Sequence, residues 1–333
     1  MEPVIVIENH IPFIKGVFDN LAQVRYLPPE EITPETMRDA DALITRTRTR
    51  CNSTLLDNSK CKIIATATIG TDHIDLPYCE SHGIKVVNAP GCNAPAVAQY
   101  VMAAILHTAE RPLDTLTLGI IGVGHVGSIV DRWARSMGIK TILCDPPRAE
   151  KEGDGQFVSL ETIADQADVI TVHTPHTTSG PYPTHHLLSK QFLDSVKRKP
   201  VVINSARGPI ADTQALIEAL DNGKISKVVI DCWENEPDIS PALLQRAAIA
   251  TPHIAGYSKD GKIRATIAAI DAVAHYLNLN VEYNGPQPNE VPDSVTPEII
   301  QATYNPLTDT MALKANPQEF ENQRNNYNLR QEP

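Results

Sequence analysis

The sequence predicts an α/β protein built from two doubly wound parallel-sheet domains with a cleft between them, plus a short C-terminal extension. Three observations predict it. Strand-like and helix-like segments alternate almost throughout. The strand segments are near-continuous apolar runs, as strands buried on both faces must be. A glycine-rich turn joins one such run to a helical pattern at LTLGIIGVGHVGSIVDRWARSMG.

Taken in order, PVIVIE, DALITR, KIIATAT and IKVVNA read as strands of a first lobe, with a short helix between Asp75 and His82. APAVAQYVMAAILHTA, residues 94–109, has helical apolar spacing behind Asn93, a suitable cap, and leads into the second lobe. Gly122, Gly124 and Gly127, with His125 and Val126 between them, follow the GxGxxG pattern. One glycine serves the turn, one the approach of a pyrophosphate, and one the packing of helix on strand. The next strand, KTILCD, ends in Asp145, 18 positions after Gly127, where a carboxylate can bind ribose hydroxyls. The domain is therefore Rossmann-like and NAD is the expected cofactor. Further strands follow at DVITVH, VVINSA, KVVIDC and AAIATP. The chain then returns to the first lobe through a long amphipathic helix from Asp260 to Leu277.

The expected domains are a discontinuous substrate-binding domain (1–93 with 253–283), an NAD-binding domain (94–252), and a linker with a shortened C-terminal segment (284–333). NGPQPNEVPD reads as the linker. The polar stretch PQEFENQRNNYNLRQ is expected to form a helix that packs on something else, such as a second subunit.

Three strings late in the chain carry chemistry: NSARGPIAD around Arg207, DCWENEP around Glu236 and TPHIAGY around His253. Each follows an apolar strand, and ligands of doubly wound sheets bind beyond strand carboxyl ends. Oxidising a 2-hydroxy acid needs a base for the hydroxyl proton, and a neutral imidazole suits working pH, which points to His253. A neighbouring carboxylate, Glu236, would aim the ring and favour its charged form. The planar fork of Arg207 can hold a carboxylate by two parallel bonds. Elsewhere, ITRTRTR would place Arg46, Arg48 and Arg50 on one side if extended.

Composition closes off other classes. The formal charge of −11 over 333 residues argues against nucleic acid or an anionic membrane as partner. No apolar run reaches the ~20 residues a bilayer span needs, and no signal-peptide pattern opens the chain, so a cytoplasmic location is expected. Cys51, Cys61, Cys79, Cys92, Cys144 and Cys232 show no CxxC spacing and read as buried reduced thiols. His173 and His176 form an HxxH, but its proline marks a loop, so no metal site is expected.

The strings ATIGTDHID, APGCNAPAVAQYV, LCDPPRAE, HTPHTTSGPY and TPHIAGYSKDGK, together with the three above, resemble the D-isomer-specific 2-hydroxy acid dehydrogenase family over residues 1–280. The resemblance implies NAD-dependent oxidation of a small phosphorylated hydroxy acid, with Arg207 and Glu236 in the active site and His253 as proton donor or acceptor. It implies that Asp145, Thr174, Asp231 and Gly256 line the NAD site. Thr47, Thr68 and Tyr257 would touch substrate, and Arg46 aligns with a substrate-contacting position. A homodimer is implied as well, although only the segment ending FENQRNNYNLRQEP resembles part of the family's dimerisation domain. The same frame also serves an enzyme for D-3-phosphoglycerate or another D-2-hydroxy acid, and an NAD-sensing corepressor.

Overall fold

Five parallel strands make the first sheet: β1 (Val4–Glu8), β2 (Gln23–Leu27), β3 (Ala42–Thr45), β4 (Ile63–Thr66) and β5 (Lys85–Val87), in the order β2-β1-β3-β4-β5. The computed structural model describes residues 2–333, the side chain of Asp154 excepted. Alternate residues of β1 enter opposite cores, Ile5 and Ile7 one and Val4 and Val6 the other, so both faces are covered. Strand β2, QVRYL, is the element the apolar pattern did not reveal: it is a half-exposed edge strand with Arg25 at its centre.

The second sheet has six parallel strands: β6 (Thr117–Ile121), β7 (Lys140–Cys144), β8 (Val169–Val172), β9 (Val201–Asn204), β10 (Lys227–Ile230) and β11 (Ile249–Ala250). Their order is β11-β10-β9-β8-β6-β7. A single parallel bridge from Leu143 to Phe157 stands beyond β7, where a third strand on that side of the sheet would lie. Val202 enters one core of this sheet, Val201 and Ile203 the other.

The chain divides into two compact units, 1–93 with 258–289 and 94–257 with 290–333. The stretch grouped with the first unit thus begins at Ser258, five positions later than the sequence suggested. The helix Lys259–Leu277 packs there through Ala265, Ala269, Ile270 and Val273.

The tail departs further from expectation. Part of it packs on the second unit of its own chain, while Ile299, Leu307 and Met311 stay exposed. Val295, Ile300 and Tyr304 join one core of the second sheet, and Leu313 and Phe320 join the other. Its helices span Pro297–Thr303, Pro306–Ala315 and Phe320–Asn325. The few apolar residues of the tail are spaced to meet two separate faces, a pattern that one helical period does not reveal.

Candidate active site

Strand order places a crevice inside the second unit. From β6 the chain crosses to β7 on one side, while β8 lies on the other, so the loops after β6 and β8 diverge at a topological switch point. The three glycines behave differently there. Gly122 has φ +88°, and a Cβ on it would lie 2.8 Å from the His173 carbonyl carbon. Gly127 lets the helix His125–Ser136 press onto the turn, since a Cβ would fall 2.1 Å from the Gly122 oxygen. A Cβ on Gly124 would meet nothing within 4 Å, which is the open approach a pyrophosphate needs. His125 is exposed and Val126 half-buried at the first turn of that helix.

Asp145 caps the helix Pro146–Glu152, accepting from the Arg148 N–H at 3.1 Å and from the Val123 N–H of the glycine turn at 2.8 Å. Arg148 is engaged: it forks onto Glu152 with two contacts of 2.7 Å and donates to the Val123 carbonyl at 2.7 Å. Thr174 lies beside Gly122, and its hydroxyl oxygen is buried with no hydrogen-bond partner among the described residues. The preceding His173 bonds Thr171, and burial pushes its imidazole down to about 3.

The three chemistry-bearing side chains follow β9, β10 and β11. Asn204 staples the first two loops, donating to the carbonyls of Arg207 at 3.0 Å and Cys232 at 3.3 Å. Gly208 brings them into contact, because a Cβ there would lie 1.8 Å from the Trp233 oxygen. Neither constraint is visible as periodicity, and sequence reasoning missed Asn204. It also missed Ser205, whose buried hydroxyl has no partner among the described residues. Arg207 is half-buried, with its guanidinium donating to the Ala206 carbonyl at 2.8 Å.

DCWENEP offers two glutamates, and the structure separates them. Glu234 accepts from the Thr213 N–H and pairs with His186 at 2.8 Å. Glu236 accepts from the Trp233 N–H through one oxygen and bonds His253 Nδ1 at 2.8 Å through the other. Burial opposes the charge of Glu236, but the His253 hydrogen bond and charge, the Trp233 N–H and Arg324 outweigh it and hold the carboxyl below its ordinary range. Cys232 Sγ lies with the ligand atoms of Glu236 and His253, all within 4.8 Å of one another. Burial, Asp231 and Glu236 push this thiol well above its ordinary range.

His253 stands in the left-handed region at φ +57°. Asp231 maintains that backbone: its carbonyl accepts from His253 N, and its carboxylate from Ile254 N, Ala255 N and the Thr251 hydroxyl. Buried at 1% exposure and so committed, Asp231 holds the loop that carries His253, and burial raises its pKa. Gly256 is half-buried in the same loop.

The largest surprise is Arg330. From the tail it donates to the carbonyls of Ala96, Ile254, Ala255 and Tyr257 and to the side chain of Gln99, with the ring of Tyr304 4.3 Å from its guanidinium. Arg324, in the helix Phe320–Asn325 before it, reaches the Tyr257 hydroxyl at 3.3 Å. No local motif marks either arginine.

The first unit carries the remaining residues. Its cationic stripe does not form: β3 stops at Thr45, and residues 47–48 turn. Glu8 draws the chain round, accepting from the Arg46 N–H and from the hydroxyls of Thr45 and Thr49. The Arg46 guanidinium donates to the His10 carbonyl at 3.0 Å, and Thr47 is exposed. Thr68 bonds Thr66 and the Gly70 carbonyl. All six cysteines are buried, and none forms a disulfide.

Residues 97–255 match the model of the D-isomer specific 2-hydroxyacid dehydrogenase NAD binding domain. Erythronate-4-phosphate dehydrogenase of Bacteroides thetaiotaomicron is 47% identical, spanning 98% of this chain and 97% of its own length. The enzyme of the same name from Klebsiella pneumoniae is 42% identical over 82% of this chain and 73% of its own. Among solved structures, D-lactate dehydrogenase from Aquifex aeolicus, complexed with NAD and lactic acid, superposes with a TM-score of 0.68 at 26% identity. It covers 83% of this chain and 95% of its own. With its glycine turn, its Glu236–His253 pair and a relative matched almost end to end, the chain belongs to the erythronate-4-phosphate dehydrogenase family of D-isomer-specific 2-hydroxyacid dehydrogenases.

Proposed function

We propose that the protein oxidises 4-phospho-D-erythronate to (R)-3-hydroxy-2-oxo-4-phosphooxybutanoate, a step on the route to pyridoxal 5'-phosphate. The observation that carries the chemistry is the 2.8 Å bond between Glu236 and His253 Nδ1. It fixes the ring and leaves Nε2 to exchange the hydroxyl proton. Arg207, held against the Glu236 loop by Gly208, binds the carboxylate next to the reacting carbon and polarises the developing ketone. Glu236 stabilises the imidazolium that forms.

The residues fit NAD. The turn of Gly122, Gly124 and Gly127, with His125 and Val126, would hold the pyrophosphate, Asp145 the ribose, and the orphaned Thr174 hydroxyl, Gly256 and the loop braced by Asp231 the remainder. When bound, NAD supplies the hydride acceptor. Arg46, Thr47, Thr68 and Tyr257 are assigned to substrate. We further propose a cytoplasmic homodimer; no helix among the described residues is long and apolar enough to cross a membrane.

The test is kcat/KM with NAD for 4-phospho-D-erythronate against D-3-phosphoglycerate. A preference of at least about tenfold for the former supports the reading. A reversed preference assigns the shorter substrate, and binding without turnover of any 2-hydroxy acid assigns a sensor.

A further inference from the structure

We propose that Arg324 is a substrate-binding residue, the cation that takes the anionic group of the substrate distant from the reacting carbon. The proposal rests on the hydroxy-acid reading above and adds a residue to its site. Arg324 lies in the helix Phe320–Asn325 of the tail, with its side chain 22% exposed. Its contacts are loose. The Tyr257 hydroxyl is at 3.3 Å, Glu321 at 3.5 Å and Glu236 Oε2 at 4.0 Å. A mostly buried guanidinium normally closes onto a carboxylate at about 2.7–2.9 Å, as Arg148 does on Glu152. Arg324 instead has donors to spare in a place where desolvation makes an anion valuable.

Its position gives the direction. Glu236 is already committed through one oxygen to the Trp233 N–H and through the other to His253, so it is not a full counter-ion for Arg324. The Tyr257 hydroxyl, already assigned to substrate, accepts from Arg324 Nε at 3.3 Å, so an anion bound by the guanidinium would lie beside it. Arg207 would hold the carboxylate of a substrate with two anionic groups and Arg324 the phosphate, both from the same unit as the dyad. The backbone that carries Tyr257 is pinned by Arg330, so the pair is held in place before substrate arrives.

The experiment compares wild type with Arg324→Ala, Arg324→Lys and Arg46→Ala, using 4-phospho-D-erythronate and unphosphorylated D-erythronate with saturating NAD. The expected result is that Arg324→Ala raises KM for the phosphorylated substrate by about 10- to 100-fold with kcat changed by less than about threefold. The loss on D-erythronate should be small, and Arg324→Lys should recover part of the affinity. Equal losses on both substrates with a fall in kcat would mean that Arg324 acts through Glu236, and would overturn the proposal. So would a phosphate-specific loss seen only in Arg46→Ala. Inorganic phosphate titrated calorimetrically into the NADH-loaded protein separates the two readings. If wild type oxidises neither substrate, the functional reading fails, while a tenfold weaker phosphate affinity in Arg324→Ala or Arg324→Lys still supports the anion site. Unchanged phosphate affinity in both variants overturns it.

Discussion

His253 combines a constrained backbone with a directed side chain. Its Nδ1 is taken by Glu236, so the proposed proton exchange would fall to Nε2, and a replacement without a titratable ring should slow chemistry alone. We expect His253→Asn to lower kcat by about 10²–10⁴ while NADH binding, read by fluorescence titration, stays near wild type. A kcat within a few-fold of wild type would remove His253 from proton transfer. Glu236 makes a prediction about stability. Its folded carboxyl sits below the ordinary range, so its contribution is fully present above the unfolded glutamate pKa of about 4.3 and disappears as pH falls through the lower folded value. The melting temperature of wild type should therefore exceed that of Glu236→Gln by a constant margin from pH 7 to about pH 5, and the margin should close on further acidification. A margin independent of pH down to about pH 3 would contradict this. At this scale the sequence singled out Arg207, Glu236 and His253 by residue type, and the structure sets Glu236 against His253. It was silent where the demand is geometric: Asn204 and Ser205 look like any strand end.

Among the elements, the loops after β9 and β10 meet through Gly208. Any side chain there must drive the Trp233 backbone away, and Arg207 would leave with it. Gly208→Ala should destabilise the fold by about 1–3 kcal/mol in denaturant titrations. It should also lower kcat/KM by about 10²-fold, because an ångström of misplacement suffices. Unchanged kinetics would show that Arg207 does not depend on this contact. The turn after β7 predicts the choice of cofactor. Asp145 would meet a 2'-phosphate with like charge, and Arg148, forked onto Glu152, is not available to offset it. Steady-state efficiency should favour NAD over NADP by at least about tenfold, and Glu152→Ala with Asp145→Ser should narrow the gap. The strands of both sheets could be read as apolar runs, whereas β2 could not, because an edge strand needs no such run. The arginine stripe failed for a related reason: alternation predicts one face only while the backbone stays extended, and Glu8 bends it at the point where the pattern begins.

For the whole molecule, the tail was the least legible region, since its buried residues contact segments up to 234 positions away in the chain. Its composition suggested a partner elsewhere, and the structure shows Arg330 and Phe320 buried in the unit they follow. Removing residues 326–333 should therefore lower the melting temperature by an amount independent of protein concentration. A purely dimeric role would instead make the loss concentration-dependent. Calorimetry across a wide concentration range distinguishes the two. The division of the chain has a practical corollary for anyone who wants the second unit in isolation. An expression fragment cut to residues 97–255, the stretch the family model matches, would contain Arg207, Glu236 and His253 but neither Arg324 nor Arg330. A fragment that keeps the His253 loop supported must splice residues 94–257 to 290–333 through an artificial connector, bypassing the helix between them.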